Sequence, residues 1–311
     1  MSKMKATLHM GRLKGKSNGK HNDRTFDTSK NKSITHPEDA KYNVYYVSNE
    51  EGKFIPVEAN RNEFEKREIE FYREHFSDAL KAKNERYRMQ GHKERCKTIT
   101  ETRKAAKTSP MEIILQVGNE DNPYRNGTRF NQMTTKFAAH VRSVYPDFKI
   151  LNLAIHYEET SVHAHIRGVF ITKDKDGHEE PNQTKALQNM GVEMPHPNQK
   201  RGQTNNELVT FTEELRECWQ DIIERTDPTI DIDREVKSPS SKHKSHLEHK
   251  MKKLEERVAE LENKCYTMDS MRYEGMEAFI RERGLKERFE DFYREMFINR
   301  FEETEYDEYE F

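Results

Sequence analysis

The chain has 311 residues, 35% charged and 32% apolar, enough for one large or two ordinary domains with much of the surplus left as solvated helix or tail. No run of about 18 apolar residues occurs, which excludes a helical membrane span, and Cys96, Cys218 and Cys265 are odd in number, scattered and without a CxxC pair, which argues against a disulfide framework or a cysteine zinc site. The near-neutral balance hides an asymmetry: residues 1–110 carry 25 basic and 16 acidic side chains, the remainder 29 and 40, so the N-terminal half suits a polyanionic partner.

The start, MSKMKATLHMGRLKGK, is cationic but lacks an apolar h-region; it does not read as a signal peptide, and a cytoplasmic location is expected. Met4–Met10 reads as a strand, followed by a Gly, Lys, Ser and Asn loop that ends in His21-Asn22-Asp23-Arg24. Tyr42–Val47 is aromatic and β-branched, which predicts a second strand. From about Glu58 to Lys107 spaced aromatics (Phe64, Phe71, Tyr72, Phe76) among Glu, Lys and Arg predict a long amphipathic helix interrupted at Gly91. Met111–Val117 reads as a strand, and Phe130–Tyr145 as a helix stopped by Pro146. Phe148–Tyr157 and Val162–Thr172 form the clearest strand pair, joined by a short polar turn. Residues 173–206 read as a long loop and Glu207–Arg225 as a helix. The order predicts an α+β fold with a mostly antiparallel sheet over residues 1–232.

Residues 233–245 read as a polar linker. Beyond it Leu247, Met251, Leu254, Val258, Leu261, Cys265 and Met268 alternate spacings of four and three, a heptad seam that predicts a helical, coiled-coil region over 246–311 and a homodimer through it. Gly275 follows the seam, a second amphipathic helix carries Leu285, Phe289, Phe292 and Met296, and the chain ends in the acidic EETEYDEYEF. Packing of this helix within one chain is the competing reading.

Chemistry concentrates at His156-Tyr157-Glu158-Glu159-Thr160-Ser161-Val162-His163-Ala164-His165. His163 and His165 are two apart on a strand, so both rings leave one face, and His156 on the facing arm can point the same way. Three converging imidazoles would suit a divalent cation acting as a Lewis acid, and Arg167, on the same face, could meet a phosphate. The bland alternative is three surface or satisfied core histidines.

HNDR at 21–24 is by itself a turn, but combined with the later HxxExxxHxH pattern at 156–165 the sequence resembles the Mob/Pre (MobV-type) plasmid relaxases of the HUH endonucleases over about residues 1–230. The resemblance implies an antiparallel five-stranded sheet flanked by helices, with the two-histidine strand central. It implies metal-dependent cleavage of one strand at a plasmid origin of transfer through a covalent histidine–DNA link, later rejoined. His21 is then the nucleophile, Glu159 the acidic residue of the motif, and His156, His163 and His165 the ligands of Mn2+ or Mg2+. Arg24, Asn22 and the lysines Lys14, Lys16 and Lys20 would contact DNA, and the partners implied are origin DNA, single-stranded or supercoiled, and conjugation machinery. The sequence departs from the family with Glu158-Glu159 before the turn, Val162 before the first HxH histidine, and only a loose Asn-Tyr motif in Tyr42-Asn43-Val44-Tyr45. Two other functions share parts of this pattern: a rolling-circle replication initiator with Tyr42, Tyr45 or Tyr46 as nucleophile, and a non-catalytic DNA-binding scaffold.

Overall fold

The computed structural model describes residues 3–11, 19–25, 34–234, 246–284, 287–288 and 291. It divides into two units, Met1–Pro239 and Ser240–Phe311.

The first unit is an α+β assembly around a single sheet. Its strands are β1 (Met4–Gly11), β2 (Val44–Ser48), β3 (Phe54–Pro56), β4 (Met111–Val117), β5 (Phe148–His156), β6 (His163–Lys173), β7 (Glu179–Pro181) and β8 (Ile232–Asp233). They run in the order β3-β2-β5-β6-β4-β1-β8, with β7 added to β6. Every pairing is antiparallel except β1 with β8. The sheet therefore has eight strands rather than five. The excess is three edge segments of two or three residues, β3, β7 and β8, too short to show an alternating pattern in sequence. The five long strands, β2-β5-β6-β4-β1, keep β6 at their centre.

Alternation along these strands sorts the two faces. Ile113 and Leu115 of β4, Leu153 and Ile155 of β5, and Ala164, Ile166 and Phe170 of β6 form one core with Phe130 and Phe137 of α4 (Gly127–Val144) and Phe211 and Trp219 of α6 (Glu207–Thr226). Trp219 is fully buried and meets Phe130 and Phe137 edge-on at 6.0 and 5.8 Å. On the other face Leu151, Val169 and Ile171 pack against Phe71, Tyr72 and Phe76 of α2 (Glu63–Met89). A bulge between Ile150 and Asn152 sends both Leu151 and Asn152 to the α2 side, one extra residue that resets the phase of β5.

The long helix breaks as its sequence predicts: α2 ends at Met89, Gly91 takes φ +77°, and α3 (Ile99–Lys104) follows with a capping box at Thr98 and Glu101. The stretch 173–206 is not all loop. Besides β7 it holds α5 (Gln183–Asn189), capped by the Asn182 side chain; at seven residues the helix is too brief for its period to stand out. β8 takes Asp233 into the sheet, one residue into the expected linker, whose residues 235–245 lie outside the described ones.

In the second unit α7 (His246–Glu282) is one continuous helix of 37 residues that runs through Gly275 instead of stopping there. The expected helix bearing Leu285, Phe289, Phe292 and Met296 and the acidic tail rest on residues outside the description. No helix among the described residues is long and apolar enough to cross a membrane.

Candidate active site

α2 covers the lower part of its sheet face and leaves the end beside the β5–β6 turn to polar side chains. There His156 pairs directly across from His163, and His165 lies two residues further along β6. Their ring centroids are 4.9 to 5.3 Å apart. The fourth ring, His21 from the short helix α1 (Gly19–Asn22), lies 5.3 Å from His165 and 5.8 Å from His156. One ring nitrogen from each of the four falls within 4.8 Å of the others.

The hydrogen bonds decide which nitrogens face inward. His156 Nε2 is 2.9 Å from the Asn22 carbonyl, His163 Nδ1 is 3.0 Å from the Ser161 carbonyl, and His165 Nδ1 is 3.0 Å from Glu112 Oε1. Each ring thus has an outer partner that fixes its tautomer, as metal-binding histidines do. The opposite atoms His156 Nδ1 and His165 Nε2 are buried with no hydrogen-bond partner, an arrangement that is costly unless a ligand takes the lone pair. The donor set therefore fits a divalent cation.

Electrostatics keep three of the rings, His21, His156 and His163, neutral. Burial, then the neighbouring His165 and Arg24, lower His21 to about 4 against the opposing pull of Glu159. Burial, then His165, brings His163 to about 4, and burial above all drives His156 well below its ordinary value. Neutral imidazoles carry the lone pairs that coordination and nucleophilic attack both require.

The HNDR segment is clamped onto this hairpin. Arg24 adopts φ +59°, rare for a residue with a side chain and held only where the surroundings demand it. Its Nε donates to Glu158 Oε1 at 2.7 Å, its Nη2 to Glu159 Oε1 at 2.6 Å, and its Nη1 to the His21 carbonyl at 3.3 Å. Asn22 Nδ2 donates to Glu112 Oε1 at 2.6 Å. One arginine and one asparagine thus carry His21 to the histidine cluster, and Glu159 Oε1 stands 3.9 Å from His21 Nε2. For Glu159, burial works to raise the carboxyl, but His163, Arg24 and His21 outweigh it and hold it low.

Glu112 is the site residue that sequence reading missed. It is buried in β4 and bonded to both Asn22 and His165. Burial alone would raise its carboxyl; the hydrogen bond and charge of His165, with Arg167 and Asn22, bring it to about 2. The available signal was a lone carboxylate inside the apolar strand MEIILQV, where an acid stays buried only if paired.

Other expected residues fall elsewhere. Arg167 is on the expected face but only 1% exposed, and its Nε donates to Glu68 Oε1 of α2 at 2.7 Å; it braces the sheet under the helix and does not reach the surface where a phosphate would lie. Arg24 is likewise buried in its carboxylate clamp. Lys14 and Lys16 lie outside the described residues, as does the side chain of Lys20. Of the three tyrosines, Tyr45 lies on the histidine side, buried, its ring centroid 6.1 Å from that of His156. Tyr46 points to the other face, against Phe54, and Tyr42 is exposed in the short 3-10 turn Pro37–Tyr42.

A three-histidine centre of metal-binding type, with a fourth histidine held above it by an arginine clamp, is what this end of the sheet presents. No protein-family model and no curated protein matches the chain. Three solved structures of the MobM relaxase domain (MOBV; Mob_Pre), manganese-bound and in complex with plasmid pMV158 oriT DNA, are similar to it. The likeness covers 79% of this chain and 98 to 99% of theirs, at 15 to 17% identity and TM-scores of 0.45 to 0.46. They belong to the family that the HNDR and HYEETSVHAH segments resemble.

Proposed function

We propose that the chain is a metal-dependent relaxase that cleaves one DNA strand at an origin of transfer and rejoins it. The observation that carries this reading is the convergence of His21, clamped by Arg24, on the centre formed by His156, His163 and His165. His156, His163 and His165 would hold Mn2+ or Mg2+. When bound, such a cation supplies Lewis-acid stabilisation of charge on phosphate oxygens.

The neutral His21 ring attacks the scissile phosphorus. A P–N bond forms, the P–O bond to the leaving sugar breaks, and the leaving oxygen ends as a hydroxyl. The imidazole proton passes to Glu159, whose Oε1 lies 3.9 Å from His21 Nε2, and from Glu159 to the leaving oxygen, which departs as the hydroxyl. The resulting phosphoramidate keeps the energy of the broken phosphodiester, so attack by a hydroxyl end restores the strand and the histidine. Asn22 and Glu112 hold the turn and His165 in place through this cycle. Lys14, Lys16 and Lys20, in the basic segment that precedes His21 in sequence, supply sequence-independent phosphate contacts. Residues 1–232 form the nicking domain and residues 246–311 a region for self-association. The DNA is plasmid origin DNA, with conjugation machinery as the further partner and the cytoplasm as the location.

The test is adduct formation on supercoiled plasmid carrying the origin region, with Mn2+, resolved under denaturing conditions for wild type, His21→Ala and Tyr45→Phe. An acid-labile adduct lost only in His21→Ala is expected. An adduct that survives His21→Ala and disappears in Tyr45→Phe would transfer the role to the tyrosine beside His156, the replication-initiator alternative. DNA binding without any adduct under any divalent cation would leave the non-catalytic scaffold.

A further inference from the structure

Tyr157 and Val162 flank the β5–β6 turn, each adjacent in sequence to a site histidine, and strand alternation turns them to the opposite side of the sheet from His156 and His163. On that side they border a cleft of about 830 Å³. Its other walls are the start of α4 and the 3-10 turn that carries Tyr42, so the cleft lies directly behind the histidine centre.

The lining is polar and aromatic. Arg125, Lys136 and a single carboxylate, Asp39, line it, with Arg125 Nη1 donating to the Tyr157 carbonyl at 3.4 Å and Lys136 Nζ to Thr226 Oγ1 at 3.0 Å, and Asn131 and Gln132 offer amide donors and acceptors along α4. Tyr42 is 58% exposed, with Lys41 Nζ 4.9 Å from its ring centroid. The Tyr157 ring is locked: its hydroxyl donates to the Gly127 carbonyl at 3.3 Å, and a Cβ on Gly127 would come within 2.6 Å of Tyr157 Cε1. An aromatic face, amides able to meet base edges and an excess of cations are the components of a nucleotide subsite on single-stranded nucleic acid. They do not suit an apolar ligand, and a folded protein partner would leave the amides of a concave polar wall to be matched one by one.

We propose that this cleft holds an unpaired nucleotide of the DNA strand, its base stacked on Tyr42 and the phosphates of the strand drawn by the cations Arg125 and Lys136. This rests on the relaxase reading and adds to it a second hold on the strand, remote from the bond that breaks.

The experiment titrates the full chain against a fluorescein-labelled, mixed-sequence single-stranded oligonucleotide at fixed salt. Tyr42→Ala is expected to weaken binding about tenfold, the order of one lost base–aromatic stack, and Tyr42→Phe, which keeps the ring, to retain wild-type affinity. The double variant Arg125→Glu/Lys136→Glu should weaken binding and flatten its salt dependence. Wild-type affinity in both Tyr42→Ala and the charge-reversal variant would overturn the proposal. If those variants still form the His21 adduct on plasmid, the cleft alone is refuted and the relaxase reading stands. Failure of the wild-type chain to bind the oligonucleotide at all would refute the cleft as a nucleotide subsite, and adduct formation on origin plasmid would still decide the relaxase reading.

Discussion

At Glu112 a single carboxylate oxygen serves two masters of the site, the Asn22 amide and the His165 ring. Glu112→Gln keeps the size but removes the charge that makes His165 a stronger donor of its lone pair. Manganese titration calorimetry on this variant should show affinity reduced about 10- to 100-fold, the usual effect of losing such an outer partner; unchanged affinity would mean that Glu112 holds only the turn. Arg24 is a sharper case, since its planar fork reaches Glu158 and Glu159 together and a lysine ammonium has no such fork. Arg24→Ala leaves two buried carboxylates without their cation and is expected to cost about 3 kcal/mol in urea unfolding, with Arg24→Lys recovering only part. The three hairpin histidines were legible from spacing alone, because a period of two fixes the face. The placing of His21 was legible only through the family likeness, since nothing in the spacing of HNDR tells where a turn more than 130 residues away in sequence will dock. Glu112 and Arg167 show a further blind spot: both are charges inside apolar strands, and which partner neutralises them is settled by α1, α2 and the sheet order together, not by their neighbours in sequence.

The elements divide in the same manner. β1, β2, β4, β5, β6, α2, α4 and α6 carry patterns of their own and were readable, down to the break at Gly91; β3, β7, β8 and α5 exist because a neighbour offers an edge or a face. β6 illustrates how tight that dependence is. Gly168 lies where a Cβ would meet Phe148 Cζ at 2.6 Å and the Lys149 carbonyl oxygen at 2.8 Å, so Gly168→Ala must displace backbone or ring. Overpacking of this kind costs about 1–3 kcal/mol, to be read as a lower urea midpoint with unchanged slope. Beneath the site, Glu68 of α2 is fully buried and accepts from Arg167, Arg103 and Asn152. Burial pushes this carboxyl up, but the two arginines win and hold it below the ordinary glutamate value. A depressed folded value means a stabilisation present above the unfolded value and lost as pH falls through the folded one. Wild type should therefore be more stable than Glu68→Gln near neutrality, and the gap should narrow as the pH is taken down through the carboxylate range in parallel denaturation curves. A constant gap would show that packing, not charge, makes α2 adhere.

For the whole molecule the open question is what a helix of 37 residues does. At 1.5 Å per residue α7 is about 55 Å long, and Val258, Leu261 and Cys265, three successive positions of its heptad seam, are exposed. A polar, Lys- and Glu-rich helix gains little from propensity alone; an apolar seam at 3.5-residue spacing becomes stabilising when a second helix fills the holes between its side chains. A second copy of the chain offers the same seam. The expected result is a mass twice that of the chain in sedimentation at micromolar concentration, falling to the single-chain mass in Leu261→Glu and in a variant ending at residue 239. The helix signal should fall with the dimer in Leu261→Glu, because seam burial is what supports it. A wild type that sediments as a single chain at every concentration would sink the seam reading. A dimer that survives removal of residues 240–311 would move the interface to the first unit.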